Sequence, residues 1–175
     1  DVFHVHDTSG RLWHVYHVVD HLATFQMARI VPTTSSLECA KAFEVGWLSW
    51  AGPRGHLLHA RGTEHAGAFE RLLDRLSISS EPLPTEAQWK NGVAERHGSI
   101  LKFMLLETLH ECQATDEWEV QVALTKCVQA KNRLARRSGF SPAQAVLGTD
   151  QRVPQSLIDE PANLPSHQTW SISSA

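Results

Sequence analysis

The sequence predicts an α/β fold: a five-stranded mixed sheet, part antiparallel meander and part parallel, flanked by helices. Two observations predict it. The first thirty residues hold three β-rich runs separated by short turns, and the residues that follow alternate between helix-like and strand-like patterns.

The elements follow in order. DVFHVHD (1–7) alternates and is closed by the turn TSGR; LWHVYHVVD (12–20) is a longer strand; HLAT is a second turn, and FQMARIV (25–31) a third strand. PTTSSLECAKAFEVGWLSWAG then offers caps, a helical spacing in Leu37, Ala40, Phe43 and Trp47, and Gly52-Pro53 as a stop. HLLHA is a short strand, AGAFERLLDRL a helix, and SISSEP a fifth strand. From about Gln88 to Cys112 the spacing is helical, with Val93, His97, Ile100, Met104 and Thr108 on one face and Glu95, Ser99 and Lys102 on another. Leu105 and Leu106 make its second half apolar nearly all round, which predicts burial of that half. DEWEVQVALTKCVQAKNRLARR opens with acids and closes with bases, as a helix dipole prefers. FSPAQAVLG is a short helix with Ser141 as cap, Pro142 in its first turn and Gly148 as stop. The order βββ-α-β-α-β-α-α-α is the outline of an RNase H-like fold. Residues 1–150 form its core, and 151–175, rich in Pro, Ser and Asn, are expected to be an extended tail or linker.

The bulk composition narrows the function classes. A chain of 175 residues with 42% hydrophobic content and six Trp is long enough to bury a core in one domain. No run of eighteen apolar residues occurs and no secretory signal stands at the start, so an intracellular protein is expected. Net charge is −3, so bulk charge alone does not mark a nucleic-acid binder. Cys39, Cys112 and Cys127 lack metal-finger spacing and suit free thiols in a reducing compartment.

Two carboxylates stand out by placement: Asp1 begins the first strand and Glu95 lies early in the long helix after Asn91-Gly92. Between them the strand HLLHA ends on Ala60, at a place where α/β folds often carry a catalytic carboxylate. Two-metal phosphodiester chemistry needs hard oxygen ligands on convergent elements, and two strand Asp with a helix Glu would supply them.

These residues carry a resemblance. The pieces DVF…LWHVYHVVDHLATF, W-x-x-W-AGP, HARGTEHAGAF, KNGVAERHGSILK and GFSPAQAVLG run in the order of the catalytic core of retroviral and retrotransposon integrases, the DDE-type polynucleotidyl transferases. The resemblance covers residues 1 to about 150 and implies an enzyme that uses Mg²⁺ or Mn²⁺ for 3′-end processing and strand transfer. It implies DNA as partner, an oligomer of at least two copies, and the nucleus if the element is eukaryotic. Asp1 matches the first catalytic Asp and Glu95 the catalytic Glu, the two metal ligands. Ala60 stands where the second Asp belongs. The 34 residues between Ala60 and Glu95 (61–94) are one fewer than the family's usual interval. The site is therefore expected to be incomplete and the chain catalytically impaired, by engineering or by natural decay.

Other candidates have competing readings. Asp7 is a rival to Asp1, but it lies at the strand's far end; Asp20 is expected to order the turn before the third strand. Glu64, four residues beyond Ala60, reaches a metal only if its loop folds unusually. Lys102 is a DNA-phosphate contact or a solvated lysine, Arg96 a contact or a salt-bridge partner, and Asn91 and Trp89 lie near where substrate would sit; Trp89 could equally cap the core. The segment EPLPTEAQ (81–88) resembles the flexible loop before the catalytic helix of integrases. The basic run Lys126, Lys131, Arg133, Arg136 and Arg137 could track a DNA backbone, but it suits a helix C-terminus better. His4 and His6, with His14 and His17, invite a zinc reading, yet nothing completes a tetrahedral set. Trp47 and Trp50 read as packing residues on a helix that such cores use for dimerisation. Two further readings stand: a decayed or domesticated, non-catalytic DNA- or protein-binding module, and another RNase H-like nuclease such as an RNase H or a junction resolvase.

Overall fold

The computed structural model describes residues 1–53, 55–59, 62–82, 91–135 and 139–149. The expected position of the second Asp (residue 60), residues 83–90 with most of the expected loop 81–88 and Trp89, Arg136, Arg137 and the expected tail lie outside these. Strands β1 (Val2–His6), β2 (Leu12–Val19) and β3 (Gln26–Val31) form the antiparallel meander, with Val5 opposite Trp13 and Val18 opposite Met27. Asp7 nucleates the first turn: one oxygen accepts from Ser9 N–H, Ser9 hydroxyl and Arg11 N–H, and the other from the Trp13 indole. Asp20 orders the second turn as expected, accepting from Ala23 N–H.

Helix α1 (Ser36–Phe43) is capped by Ser35 and continues through a π-helical turn (Glu44–Leu48) into α2 (Ser49–Ala51). Gly46 lets that turn lie on β3, since a Cβ there would meet the Met27 sulfur at 2.6 Å. Strand β4 (His56–His59) precedes a single 3-10 turn (Thr63–His65) and α3 (Ala68–Arg75), and pairs parallel with β5 (Ser79–Pro82). Helices α4 (Gly92–Cys112), α5 (Glu117–Leu134) and α6 (Pro142–Leu147) complete the chain. Asp116 caps α5 by accepting from Glu119 N–H, and the expected Ser141 cap is present, in a reciprocal box with Gln144.

The strands alternate sides as a pleated sheet requires. Val5, Trp13 and Val15 pack on Leu101, Leu105 and Leu124 of α4 and α5. On the opposite face, Tyr16, Met27 and Val31 pack on Phe43 and Trp47 from the α1 side and on Phe69 of α3. Helices therefore cover both faces. The unpaired edge of β3 is closed by side chains of α5: Ile30 N–H donates to Gln121, and Asn132 both accepts from Gln26 N–H and donates to its carbonyl.

Two expectations need correction. The five strands form two sheets, β1-β2-β3 and β4-β5, not one; a cavity lined by Val18 and Val19 on one side and Leu57 and Leu58 on the other lies between them. The second half of α4 is buried on one face only. Leu101, Leu105 and Leu109 point inward, whereas Ile100, Phe103 and Leu106 are exposed, because a single sheet face and α5 cannot surround a helix at the surface.

Candidate active site

The cavity between the sheets, about 530 Å³, holds the candidate site. Asp1 reaches it because β1 begins there: Asp1 and His17 exchange backbone hydrogen bonds, His17 N–H to Asp1 carbonyl at 2.9 Å and Asp1 nitrogen to His17 carbonyl at 3.1 Å. Asp1 Oδ1 accepts from Val2 N–H at 2.8 Å, while Oδ2 stands 4.0 Å from His17 Nε2. Burial pushes His17 well below the ordinary histidine range. His17 is therefore neutral, and its contact with Asp1 is not an ion pair.

The first turn of α4 forms the next wall. Asn91, Val93 and Ala94 line the cavity. The helix comes this close because residue 98 is glycine: a Cβ there would lie 2.9 Å from His17 Nε2. Glu95 is on the exposed side of the same turn, its carboxylate accepting from Asn91 Nδ2 at 3.4 Å. Arg96 and Lys102 are also exposed, with Lys102 on the stripe of Glu95 and Ser99. The third wall is the end of β4, where buried His59 stacks near His65 with ring centroids 4.6 Å apart. Glu64 folds back over Gly62 and places its carboxylate 3.7 Å from Nδ1 of His65, a cavity residue.

Behind His17 runs a buried polar layer. Gln26 Nε2 is 3.2 Å from His17 Nδ1, Asn132 clamps the Gln26 backbone, and Lys131 meets His97 Nδ1. Burial pushes the Lys131 ammonium down to about 8. Lys131 thus leaves the basic run: it is a packing residue joining α5 to α4, while Lys126 and Arg133 remain exposed.

The arrangement brings Asp1 and Asn91 to one cavity. Among the described residues, no group of three or more His, Cys, Asp or Glu is gathered to hold a metal ion. The donor set on view does not fit a two-metal site, which needs more carboxylates than Asp1 and Glu95. Sequence reading missed His17, His59 and His65 as cavity residues. The signal for His17 was available: it shares the strand face of Trp13 and Val15, and a glycine in the covering helix makes room for its ring.

The fold is that of a retroviral integrase catalytic core. The HTLV-2 integrase catalytic core domain in complex with magnesium, in dimeric form, superposes with a TM-score of 0.69 at 21% identity over 82% of this chain and 90% of that one. The BIV integrase catalytic core gives 0.65 at 19% identity, covering 84% and 91% of the two chains. The simian T-cell lymphotropic virus intasome in complex with PP2A regulatory subunit B56 gamma gives 0.72 at 17% identity, over 100% of this chain and 58% of that one. No family model matches the sequence, and no curated protein matches it. Among the described residues, no helix is long and apolar enough to cross a membrane.

Proposed function

We propose that this chain is a DNA-binding core of the integrase type whose phosphodiester chemistry is impaired because Ala60 stands in the place of the second catalytic Asp. The observation that carries this reading is convergence. Asp1 just before β1, the first turn of α4 and the end of β4 meet at one cavity, in the fold of integrase cores. Residues 1–150 are the core and 151–175 a tail or linker. Asp1 and Glu95 are the surviving catalytic carboxylates. A divalent Mg²⁺ or Mn²⁺ would be held only weakly by these two groups, because two carboxylates lack the ligands and negative charge that a pair of dications needs and Glu95 would have to turn in from the exposed side of α4. Asn91 at the cavity and Arg96 and Lys102 on the exposed face of α4 contact DNA. The active assembly is an oligomer of at least two copies, acting in the nucleus if the element is eukaryotic.

The absence of a carboxylate at position 60 also favours a second reading, a non-catalytic DNA- or protein-binding module. One experiment separates the two. The chain and its Ala60→Asp variant are titrated with Mn²⁺ by calorimetry and assayed for strand transfer with blunt and recessed DNA ends. The expected result is negligible transfer by the chain itself, and gain of both metal binding and transfer by Ala60→Asp. Robust transfer by the unmodified chain refutes the assignment of Ala60. A variant that binds DNA but gains neither metal nor activity supports the binding module.

A further inference from the structure

We propose that His4 and His14 form a two-imidazole chelate for a transition-metal dication of the Zn²⁺ or Ni²⁺ kind, on the outer hairpin of the first sheet and separate from the candidate active site. The two residues are directly opposed in the β1-β2 register, so their side chains leave the same face of the sheet side by side. Their Nδ1 atoms are 2.9 Å apart, and the rings meet edge to face with centroids 4.8 Å apart. Val5, opposite Trp13, points into the core on the other face, so the pair is turned away from the packed α4 side. His4 is exposed and His14 half-buried, which leaves a path for an ion.

The separation is the bite that a metal requires. Two nitrogens held about 2.0–2.1 Å from one ion stand about 2.9 Å apart at a right angle and about 3.3 Å apart at the tetrahedral angle. The pair already has the first separation and reaches the second by a small opening; in either case both rings must turn about their side-chain bonds, because the donor N–H now points at the other nitrogen and not at a shared point. At present one ring donates an N–H to the lone pair of the other. Binding needs that ring to take its other tautomer, with the proton on Nε2, so that both Nδ1 lone pairs face the ion and no net proton is lost. Among the described residues no third His, Cys, Asp or Glu joins the pair, so solvent fills the other positions. The site is therefore open and exchangeable, unlike a closed structural zinc site. Imidazole selects Zn²⁺, Ni²⁺ and Cu²⁺ over Mg²⁺, so the hairpin does not compete for the ion used in DNA chemistry.

The test is calorimetric titration of Zn²⁺ and of Ni²⁺ into the full chain in excess Mg²⁺, with His ring resonances followed by NMR. The expected result is a saturable site that shifts the His4 and His14 rings. His4→Gln and His14→Gln each weaken it by about tenfold or more, whereas His110→Gln, exposed in the last turn of α4, leaves it unchanged. His4 lies on the surface, so loss of binding in His4→Gln with an unchanged thermal midpoint is not a folding effect. Equal affinity in the chain and in both hairpin variants overturns the proposal, as does the absence of any saturable binding.

Discussion

Gly98→Ala tests whether the contact between α4 and His17 sets the site's geometry. In an open helix the change would stabilise by up to about 1 kcal/mol, because alanine loses less backbone entropy than glycine. Here the new methyl would lie 2.9 Å from His17 Nε2 and 3.0 Å from Cε1, inside van der Waals contact. His17 is 2% exposed, hydrogen-bonded to Gln26, and packed 5.4 Å from the Phe3 ring, so it cannot swing aside freely. Overpacking of this kind costs about 1–3 kcal/mol, so the net expectation is a loss of about 0–2 kcal/mol. A Cβ at Gly92, at the start of the same helix, would meet no atom within 4 Å beyond its own turn, and Gly92→Ala is expected to be neutral or stabilising. Equilibrium urea unfolding of the two variants measures the difference as a shift of midpoint at constant slope. Amide shifts at Val2, His17 and Gln26 should accompany Gly98→Ala alone. Equal stability of the two variants, with those shifts absent, would refute the claim that Gly98 holds α4 against the Asp1 strand.

Other perturbations follow from the same contacts. Asp7→Asn is expected to cost about 1–3 kcal/mol at pH 7, because Asp7 accepts four hydrogen bonds, one of them from a buried indole. Burial raises the Asp7 carboxyl, but the hydrogen bonds from Ser9, Trp13 and Arg11 outweigh it and leave the pKa below the ordinary value. Its contribution is thus complete above the ordinary carboxylate range and lost as pH falls through the depressed value, so the gap between chain and variant should close in acid unfolding curves. Lys131 has the same sign over a higher pH window, although here the fold disfavours the charged form. With its pKa at about 8 against 10.5 unfolded, the unfolded chain binds more protons between those values, so stability should rise with pH there. Lys131→Met should remove that rise and be at least as stable as the parent at pH 7, by chemical denaturation. Lys102→Ala should weaken DNA binding and reduce the salt slope of log K by about 1, read from fluorescence anisotropy at several salt concentrations.

Much of the scaffold was legible because its signals are local. Strand alternation, the turn chemistry of Asp20, and the caps Ser141, Pro142 and Gly148 each depend on a few adjacent residues, and all appear as expected. What sequence could not supply were relations between elements. That β4 and β5 stand apart from the meander, with a cavity between, depends on pairing across distant segments. Ile100 carries the same period as the buried positions, but its exposure follows from which side of α4 the sheet covers. Lys131 looked like one of several bases closing a helix; only the position of His97, thirty-four residues away, makes it a buried link. Asp1 and Glu95 were singled out by placement, yet Glu95 points to the exposed side and pairs with Asn91.

The buried layer behind Asp1 gives the Ala60→Asp experiment its resolving power. Asn132 clamps Gln26, Gln26 meets His17, and Gly98 seats α4 against that same ring, so the support of Asp1 comes from β2, β3, α4 and α5. None of these residues is a metal ligand in the proposed site, and their contacts are assembled with alanine at position 60. Restoring one carboxylate therefore asks little of the scaffold: a single side chain, next in sequence after β4, with Asp1 and Asn91 already lining one cavity. If Ala60 is the principal defect, the single substitution should bring metal binding and strand transfer back together, with unchanged unfolding midpoint. Recovery of metal binding without transfer would move the defect to DNA positioning by Asn91, Arg96 and Lys102. Recovery of neither, in a variant that stays folded, would mean that Asp1 and Glu95 no longer share a site, and the catalytic reading would fall.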